Sequence, residues 1–85
     1  MNYAVYILYS QSKDKYYIGY TQNPSERLLE HNAGATPSTR PGIPWILVYI
    51  EEYSDKSAAM KREIAIKKMK SRRYIEKLIS DNSTG

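Results

Sequence analysis

The sequence contains no cysteine, so neither a disulfide framework nor a metal site built on thiolates is possible. It also contains no apolar run long enough to cross a membrane. Its start lacks the basic segment and apolar stretch that mark an export signal. We therefore expect a cytoplasmic protein without a membrane partner. No internal repeat or second domain is visible, and 85 residues suffice for one domain with a modest core.

The composition is that of an ordinary globular protein, with 41% hydrophobic and 26% charged residues. The net charge of +4 permits an anionic partner but does not establish one. Basic residues concentrate between positions 61 and 73, where the only acidic residue is Glu63. Such charges bind phosphates without reading sequence, and the alternative interpretation is a solvated helix face.

Two short apolar segments near the start predict a β-hairpin. Residues 3–9 and 16–21 are rich in aromatic and β-branched side chains and are joined by a short polar segment. If the loop has an even number of residues, Tyr6 and Tyr17 point to one face, and a pairing centred between Gln11 and Ser12 places them directly opposite each other. An odd number would place them on opposite faces. Gly19 beside them marks a bulge or a close backbone approach.

A first helix is predicted over residues 24–33. Asn23 is a good N-cap for it, and Gly34 is a good stop signal. We expect Leu28 and Leu29 to point toward the core.

From residue 35 onward the sequence predicts a loop, a strand and two further helices. Residues 35–44 contain three prolines and leave no room for a helix, whereas residues 45–50 are continuously apolar and predict a third strand. A second helix is predicted over residues 56–69, and a third follows it. We expect residues 1–80 to form a single domain and the small polar residues 81–85 to form a disordered tail.

The second predicted helix places an acidic residue among apolar ones. At about 100° per residue, its apolar arc consists of Ala59, Met60, Ile64 and Ile66. Glu63 falls inside this arc, where its carboxylate needs a partner or a cation because a stranded charge is costly. Lys67, one turn later, is an alternative partner, worth about 0.2–0.5 kcal/mol.

In the first predicted helix, Arg27 and His31 are four residues apart and therefore share one face. They are either the polar side of an amphipathic helix or part of a site.

These features together resemble the GIY-YIG nuclease domain, specifically its small stand-alone bacterial UPF0213 group, over about residues 3–79. The segments that carry the resemblance are VYILYS at 5–10, YYIGYT at 16–21, ERL at 26–28, EHN at 30–32, TR at 39–40, WILVY at 45–49, Ala59, KRE at 61–63 and IKK at 66–68. The first motif departs from the family pattern, since Ala4-Val5-Tyr6 replaces Gly-Ile-Tyr. The asparagine that follows the metal-binding glutamate in larger members has no counterpart except Asn82.

The resemblance implies an α+β fold, with a three-stranded antiparallel sheet flanked by about three helices in the order β-β-α-β-α-α. It also implies hydrolysis of nucleic-acid phosphodiesters with one divalent metal ion, usually Mg²⁺. By this likeness, Tyr6 and Tyr17 match the motif tyrosines, one of which helps to deprotonate the attacking water. Arg27 matches the arginine that faces the scissile phosphate, and His31 matches a position near the nucleophile. Glu63 matches the metal-binding glutamate.

The expected function is a DNA endonuclease of repair or recombination that selects structure rather than sequence, because no attached DNA-binding domain is present. The expected partner is therefore nucleic acid, and no small-molecule substrate is expected. Candidate phosphate-binding residues are Arg40, Lys67, Lys68, Arg72 and Arg73. Two alternatives remain open, a nucleic-acid-binding module without turnover and a protein-interaction domain. Oligomeric state is not determined, and a tyrosine with a pKa near 10 is a poor base unless its surroundings assist it.

Overall fold

A computed structural model describes residues 2–83, without the side chain of residue 83. The elements in chain order are β1 (Tyr3–Ser10), β2 (Lys15–Thr21), α1 (Pro24–Asn32), a 3-10 helix (Pro37–Gly42), β3 (Trp45–Tyr53), α2 (Lys56–Met69) and α3 (Arg72–Ser83). This confirms the predicted order of three strands and three α-helices. Within the described residues, no helix has both the length and the apolar character needed to cross a membrane.

The three strands form one antiparallel sheet in the order β2-β1-β3. The central strand β1 is covered on both faces, and its residues from Ala4 to Leu8 are all buried. This explains why the strand is continuously apolar rather than alternating.

Each face of the sheet packs against its own helical layer. On one face, Val5 and Ile7 join Ala59 and Ile66 of α2, and α3 completes this cluster. On the other face, a second cluster contains Tyr6, Leu8, Tyr17, Leu28, Ile43, Trp45 and Leu47. The second face also holds buried polar side chains, and the candidate site lies there.

The hairpin has an even loop of four residues, 11–14, so Tyr6 and Tyr17 lie on the same face as one alternative predicted. The predicted pairing of Tyr6 with Tyr17 was nevertheless wrong by two residues, because Tyr6 pairs with Gly19 and Leu8 pairs with Tyr17. Asp14 stabilises this four-residue turn. It adopts a φ of 53°, and its carboxylate accepts a hydrogen bond from the Tyr9 hydroxyl at 2.8 Å.

Gly19 makes room for the Tyr6 ring. A Cβ at position 19 would lie 2.6 Å from the Tyr6 hydroxyl oxygen, which is closer than van der Waals contact allows. Gly19 is therefore a position of close approach, which is one of the two interpretations that the sequence allowed.

The first helix begins as predicted, since the Asn23 side chain accepts a hydrogen bond from the Glu26 amide at 3.1 Å. Leu28 packs into the cluster beneath α1, but Leu29 is 70% exposed. The prediction that both leucines face the core was wrong. Successive helical residues diverge by about 100°, and the buried side is centred on Leu28 and His31.

The proline-rich segment contains a helix after all, although of the 3-10 type. Its i→i+3 hydrogen bonds include Thr39 N–H to Thr36 O at 3.1 Å and Ile43 N–H to Arg40 O at 3.2 Å. Pro37 occupies the first position, where its missing N–H needs no partner.

The predicted apolar arc of α2 does not coincide with the face of the helix that is buried. Ala59 and Ile66 are buried, but Met60 and Ile64 are 38% and 45% exposed. The reason is Arg62, which turns inward and binds the Glu51 carboxylate of β3 at 2.8 Å. Hydrophobicity alone could not reveal a charged residue on the inner face.

The predicted disordered tail begins too early. Helix α3, whose start is capped by Ser71 through a bond to the Tyr74 amide at 3.1 Å, continues to Ser83. Residues 81–83 therefore belong to the helix, and residues 84–85 lie outside the described part of the chain.

Candidate active site

Four of the predicted site residues meet on the α1 side of the sheet. β1 and β2 supply Tyr6 and Tyr17, whose ring centroids are 6.3 Å apart, and α1 supplies Arg27 and His31. The Tyr6 hydroxyl lies 3.0 Å from His31 Nε2. The Tyr17 ring lies edge-on to the imidazole, with 4.9 Å between centroids. Residues far apart in sequence therefore form one cluster.

The hydrogen bonds around His31 determine which ring nitrogen carries the proton. Thr39 donates its hydroxyl proton to the Thr36 carbonyl at 3.1 Å, so its oxygen must act as the acceptor toward His31 Nδ1 at 2.9 Å. Nδ1 is then protonated, and in the neutral ring Nε2 has a free lone pair. That lone pair accepts the hydrogen bond from the Tyr6 hydroxyl.

Burial maintains this arrangement at neutral pH. Burial, together with the nearby Arg27 charge, lowers the pKa of His31, so the imidazole is neutral. Burial also raises the pKa of Tyr6, and the lowering effect of Arg27 does not cancel it. Tyr6 is therefore an un-ionised hydrogen-bond donor, and His31 is a neutral acceptor.

We expect Thr39→Val to disturb this chain of hydrogen bonds without changing side-chain size. The buried Nδ1–H would lose its acceptor, at a cost of about 1–3 kcal/mol in the free energy of unfolding. His31 is the only histidine, so the ¹⁵N shifts of one imidazole report the tautomer directly. Urea unfolding measures the stability.

Thr39→Ser is the matched control because it retains the hydroxyl group. It should preserve the Nδ1–H tautomer of His31 and most of the stability. Unchanged imidazole shifts and unchanged stability in Thr39→Val would contradict the assigned role of Thr39.

Arg27 lies between the buried tyrosine and the protein surface. Its Nη1 donates to the Glu30 carboxylate at 2.8 Å and its Nη2 to the Thr36 hydroxyl at 3.4 Å, while 32% of the side chain is exposed. Glu30, and next Tyr6, raise the pKa of Arg27. An open polar cavity of about 210 Å³ adjoins the guanidinium. Arg27 is therefore a fixed cation that an anion can reach.

Glu63 lies on α2. Within residues 2–83, no hydrogen bond joins its side chain to the cluster of tyrosines, arginine and histidine on the α1 side of the sheet. Its side chain is 16% exposed, and its nearest cation is Lys67 Nζ at 3.5 Å. Its charge still reaches the cluster, since it contributes to the raised pKa of Tyr6. The described residues include no group of three or more His, Asp or Glu side chains that could hold a metal ion. A single carboxylate nevertheless fits Mg²⁺, which is commonly bound by one or two carboxylates plus substrate phosphate and water.

The residues predicted to bind phosphate are not equally available. Arg72 is engaged by Asp14 at 2.5 Å and by Glu76 at 3.1 Å, and Arg40 donates to the Gly34 carbonyl at 2.6 Å. Lys67 pairs with Glu63 but remains half-exposed. Lys68 and Arg73 are exposed. Phosphate binding by these five residues remains a prediction, with Lys68 and Arg73 the least constrained.

Two supporting residues, Thr39 and Asn32, were not among the predicted site residues, although both lie in segments that carry the family resemblance. Thr39 lies in the proline-rich segment, which has no hydrophobic period to show that its side chain is buried. Asn32 holds the start of β3, because its side chain accepts from the Trp45 amide at 2.6 Å and donates to the Trp45 carbonyl at 3.0 Å. The signals available for Asn32 were its position directly after His31 and its place in the EHN segment of the resemblance.

Comparison with known proteins identifies relatives of the whole chain. The family model of the GIY-YIG catalytic domain matches residues 2–76. A UPF0213 protein of Natronomonas pharaonis is 41% identical over 96% of this chain and 95% of that protein. A UPF0213 protein of Streptococcus pneumoniae is 36% identical over 96% of this chain and 84% of that protein.

Similarity extends to a larger protein and to a solved structure. A structure-specific endonuclease subunit SLX1 homolog of Leishmania infantum is 41% identical over 72% of this chain, which corresponds to 10% of that protein. The solution NMR structure of a UPF0213 protein from Bacillus halodurans is similar with a TM-score of 0.59 and 36% identity. This match covers 94% of this chain and 84% of that one.

Proposed function

Because the chain belongs to the GIY-YIG family, we propose that it is a metal-dependent endonuclease that hydrolyses DNA phosphodiester bonds in repair or recombination. Substrate selection by structure rather than by sequence is supported by the relatives named structure-specific endonuclease subunits. The single observation that carries the proposal is the buried hydrogen bond from Tyr6 to a neutral His31, located beside the accessible guanidinium of Arg27.

Arg27 binds the scissile phosphate. Attack of water on phosphorus builds negative charge on the phosphoryl oxygens, and a guanidinium matches two of them with parallel N–H donors. The Glu30 carboxylate holds the guanidinium in place, so little reorganisation is needed during the reaction.

Tyr6 and His31 together remove the proton of the attacking water. The water gives its proton to the Tyr6 oxygen while Tyr6 gives its own proton to His31 Nε2, so that hydroxide attacks and an imidazolium forms. Thr39 holds the Nδ1–H during this transfer. Because the neutral imidazole is the final acceptor, the phenol with its raised pKa need not ionise beforehand.

Tyr17 lies against the edge of the His31 ring and is the second candidate for contact with the water. We assign it to orienting the water and the phosphate, since its hydroxyl is not part of the hydrogen-bonded chain through His31.

Glu63 would hold the divalent ion, which we propose to be Mg²⁺. A carboxylate is the hard oxygen ligand that this ion prefers. When bound, the ion supplies positive charge that stabilises the leaving oxygen.

The proposal is tested by incubating single-stranded, nicked, flapped and branched DNA with magnesium and either wild-type protein or Tyr6→Phe. We expect wild type to cut branched or flapped DNA. Tyr6→Phe should lose about 10²–10⁴-fold in rate, because the general base no longer reaches the water. Circular dichroism checks that the variant folds.

Equal cleavage by wild type and Tyr6→Phe would overturn the role of Tyr6 as the group that takes the proton of the attacking water. Binding of DNA by the wild type without any cleavage would favour the non-catalytic binding module.

A further inference from the structure

A second cavity adjoins the candidate active site. It has a volume of about 320 Å³ and lies between the β1–β2 hairpin and the 3-10 helix. It shares Tyr17 and Thr39 with the active-site cluster, and Trp45, Lys13 and Lys15 also line it. We propose that this cavity binds one unpaired nucleotide of the substrate, next to the scissile phosphate. The inference rests on the proposed function and specifies its substrate class.

The charges of this cavity favour an anion. Lys13 and Lys15 are exposed, and neither forms an ion pair within the described residues. Among residues 2–83, no acidic side chain lines the cavity. Both lysines come from the hairpin that also carries Tyr17, so a phosphate bound to them remains near the active site.

Two other cavities are lined by acidic residues. The one beside Arg27, which would receive the scissile phosphate, is lined by Glu26 and Glu30, and the one between β2, α2 and α3 is lined by Asp14. These carboxylates disfavour any phosphate beyond the one that Arg27 would bind. The cavity between the hairpin and the 3-10 helix therefore suits an additional phosphate better than either of them.

The walls of the cavity suit a nucleobase. Tyr17 is partly exposed and offers an aromatic surface, on which any base can stack. The Trp45 indole forms part of the wall and is fixed in place, because its Nε1 donates to the Thr39 carbonyl at 2.8 Å. Gly42 packs directly against the indole, where an added Cβ would collide with the ring. The cavity is thus preformed.

An unpaired nucleotide places its base in this cavity at the lowest cost in free energy, because a base in a duplex must first be unstacked and unpaired. Within a duplex, both faces of a base are covered by its stacked neighbours and its pairing edge is occupied. Flaps, single strands and branch points supply bases free of these constraints. The cavity therefore gives a physical reason for selection of DNA by structure.

The first experiment measures binding of thymidine 3′,5′-bisphosphate in EDTA, without magnesium. Trp45 is the only tryptophan and lines the cavity, so its fluorescence reports occupancy. We expect saturable quenching for wild type and at least a tenfold weaker affinity for deoxyribose 3,5-bisphosphate, which lacks the base. The double variant Lys13→Gln, Lys15→Gln should also bind the nucleotide at least tenfold more weakly.

Lys77→Gln is the matched control, because it removes an exposed lysine from α3, which packs on the other face of the sheet. It should bind the nucleotide as wild type does. Equal affinity for the compounds with and without the base, or equal loss in the α3 control, would overturn the inference.

This binding assay needs neither metal nor cleavage, so its result is independent of the proposed nuclease activity. Nucleotide binding without DNA cleavage by the wild type would support the cavity and overturn the nuclease proposal. Cleavage of branched DNA without nucleotide binding would support the nuclease proposal and overturn the proposed nucleotide cavity.

Discussion

Glu63→Gln is expected to remove metal-dependent DNA cleavage while leaving DNA binding nearly unchanged. The substitution keeps the shape of the side chain but removes the charge that would hold the divalent ion. Loss of about 4 kcal/mol of transition-state stabilisation corresponds to about a thousandfold lower rate. Single-turnover cleavage of the preferred DNA substrate measures the rate, and a mobility-shift titration in EDTA measures the binding.

Glu52→Gln makes the same chemical change at an exposed position of β3 and should cleave like wild type. Titration with Mg²⁺ or Mn²⁺ adds a second readout, because the Glu63 variant should need far more metal for any residual activity. A Glu63→Gln protein with wild-type rate and metal dependence would exclude Glu63 as the metal ligand.

Arg27→Lys is expected to lower the cleavage rate about 10²–10³-fold, the typical effect of removing one preorganised donor from a transition state. Lysine keeps the charge but lacks the planar fork that can bind two phosphoryl oxygens. It also cannot contact Glu30 and a phosphate with the same fixed geometry. Folding should be little affected, because a partly exposed ion pair contributes only about 0–1 kcal/mol.

Arg40→Lys makes the same chemical change at an exposed candidate for phosphate binding outside the buried cluster, so it can weaken DNA binding but should leave the rate at saturating protein unchanged. Single-turnover rates at saturating protein separate chemistry from binding. A slower rate only below saturation would show that Arg27 binds the DNA but does not stabilise the transition state.

Much of the site could be predicted from the sequence because its signals are local. The four-residue spacing of Arg27 and His31 places them on one side of α1 whatever the helix packs against. The cap at Asn23 depends on a residue three positions later, and it forms as a hydrogen bond. Such features need no knowledge of the rest of the fold.

The errors in prediction arose where contacts between distant parts of the chain determine which side chains are buried. Met60 was expected inside because it is apolar, but Arg62 occupies the inner face through its bond with Glu51, eleven residues earlier in the chain. Hydrogen bonds from Arg62 and two tyrosines overcome the effect of burial and lower the pKa of Glu51 to about 2. The carboxylate therefore remains charged under the sheet, which no periodicity could show.

The sequence by itself determined the order of the strands and helices, the N-cap of α1 and the family, but it left open whether the hairpin loop is even and hence whether Tyr6 and Tyr17 share a face. These features depend on residue identity and on short spacings along the chain, which do not depend on how the chain packs. Only the tertiary structure decided that Tyr6 packs over Gly19, and that Thr39 fixes the proton on His31. It also decided that two exposed lysines border a cavity beside the cluster. These contacts join separate segments, and their geometry exists only once the hairpin, α1 and the 3-10 helix have packed together.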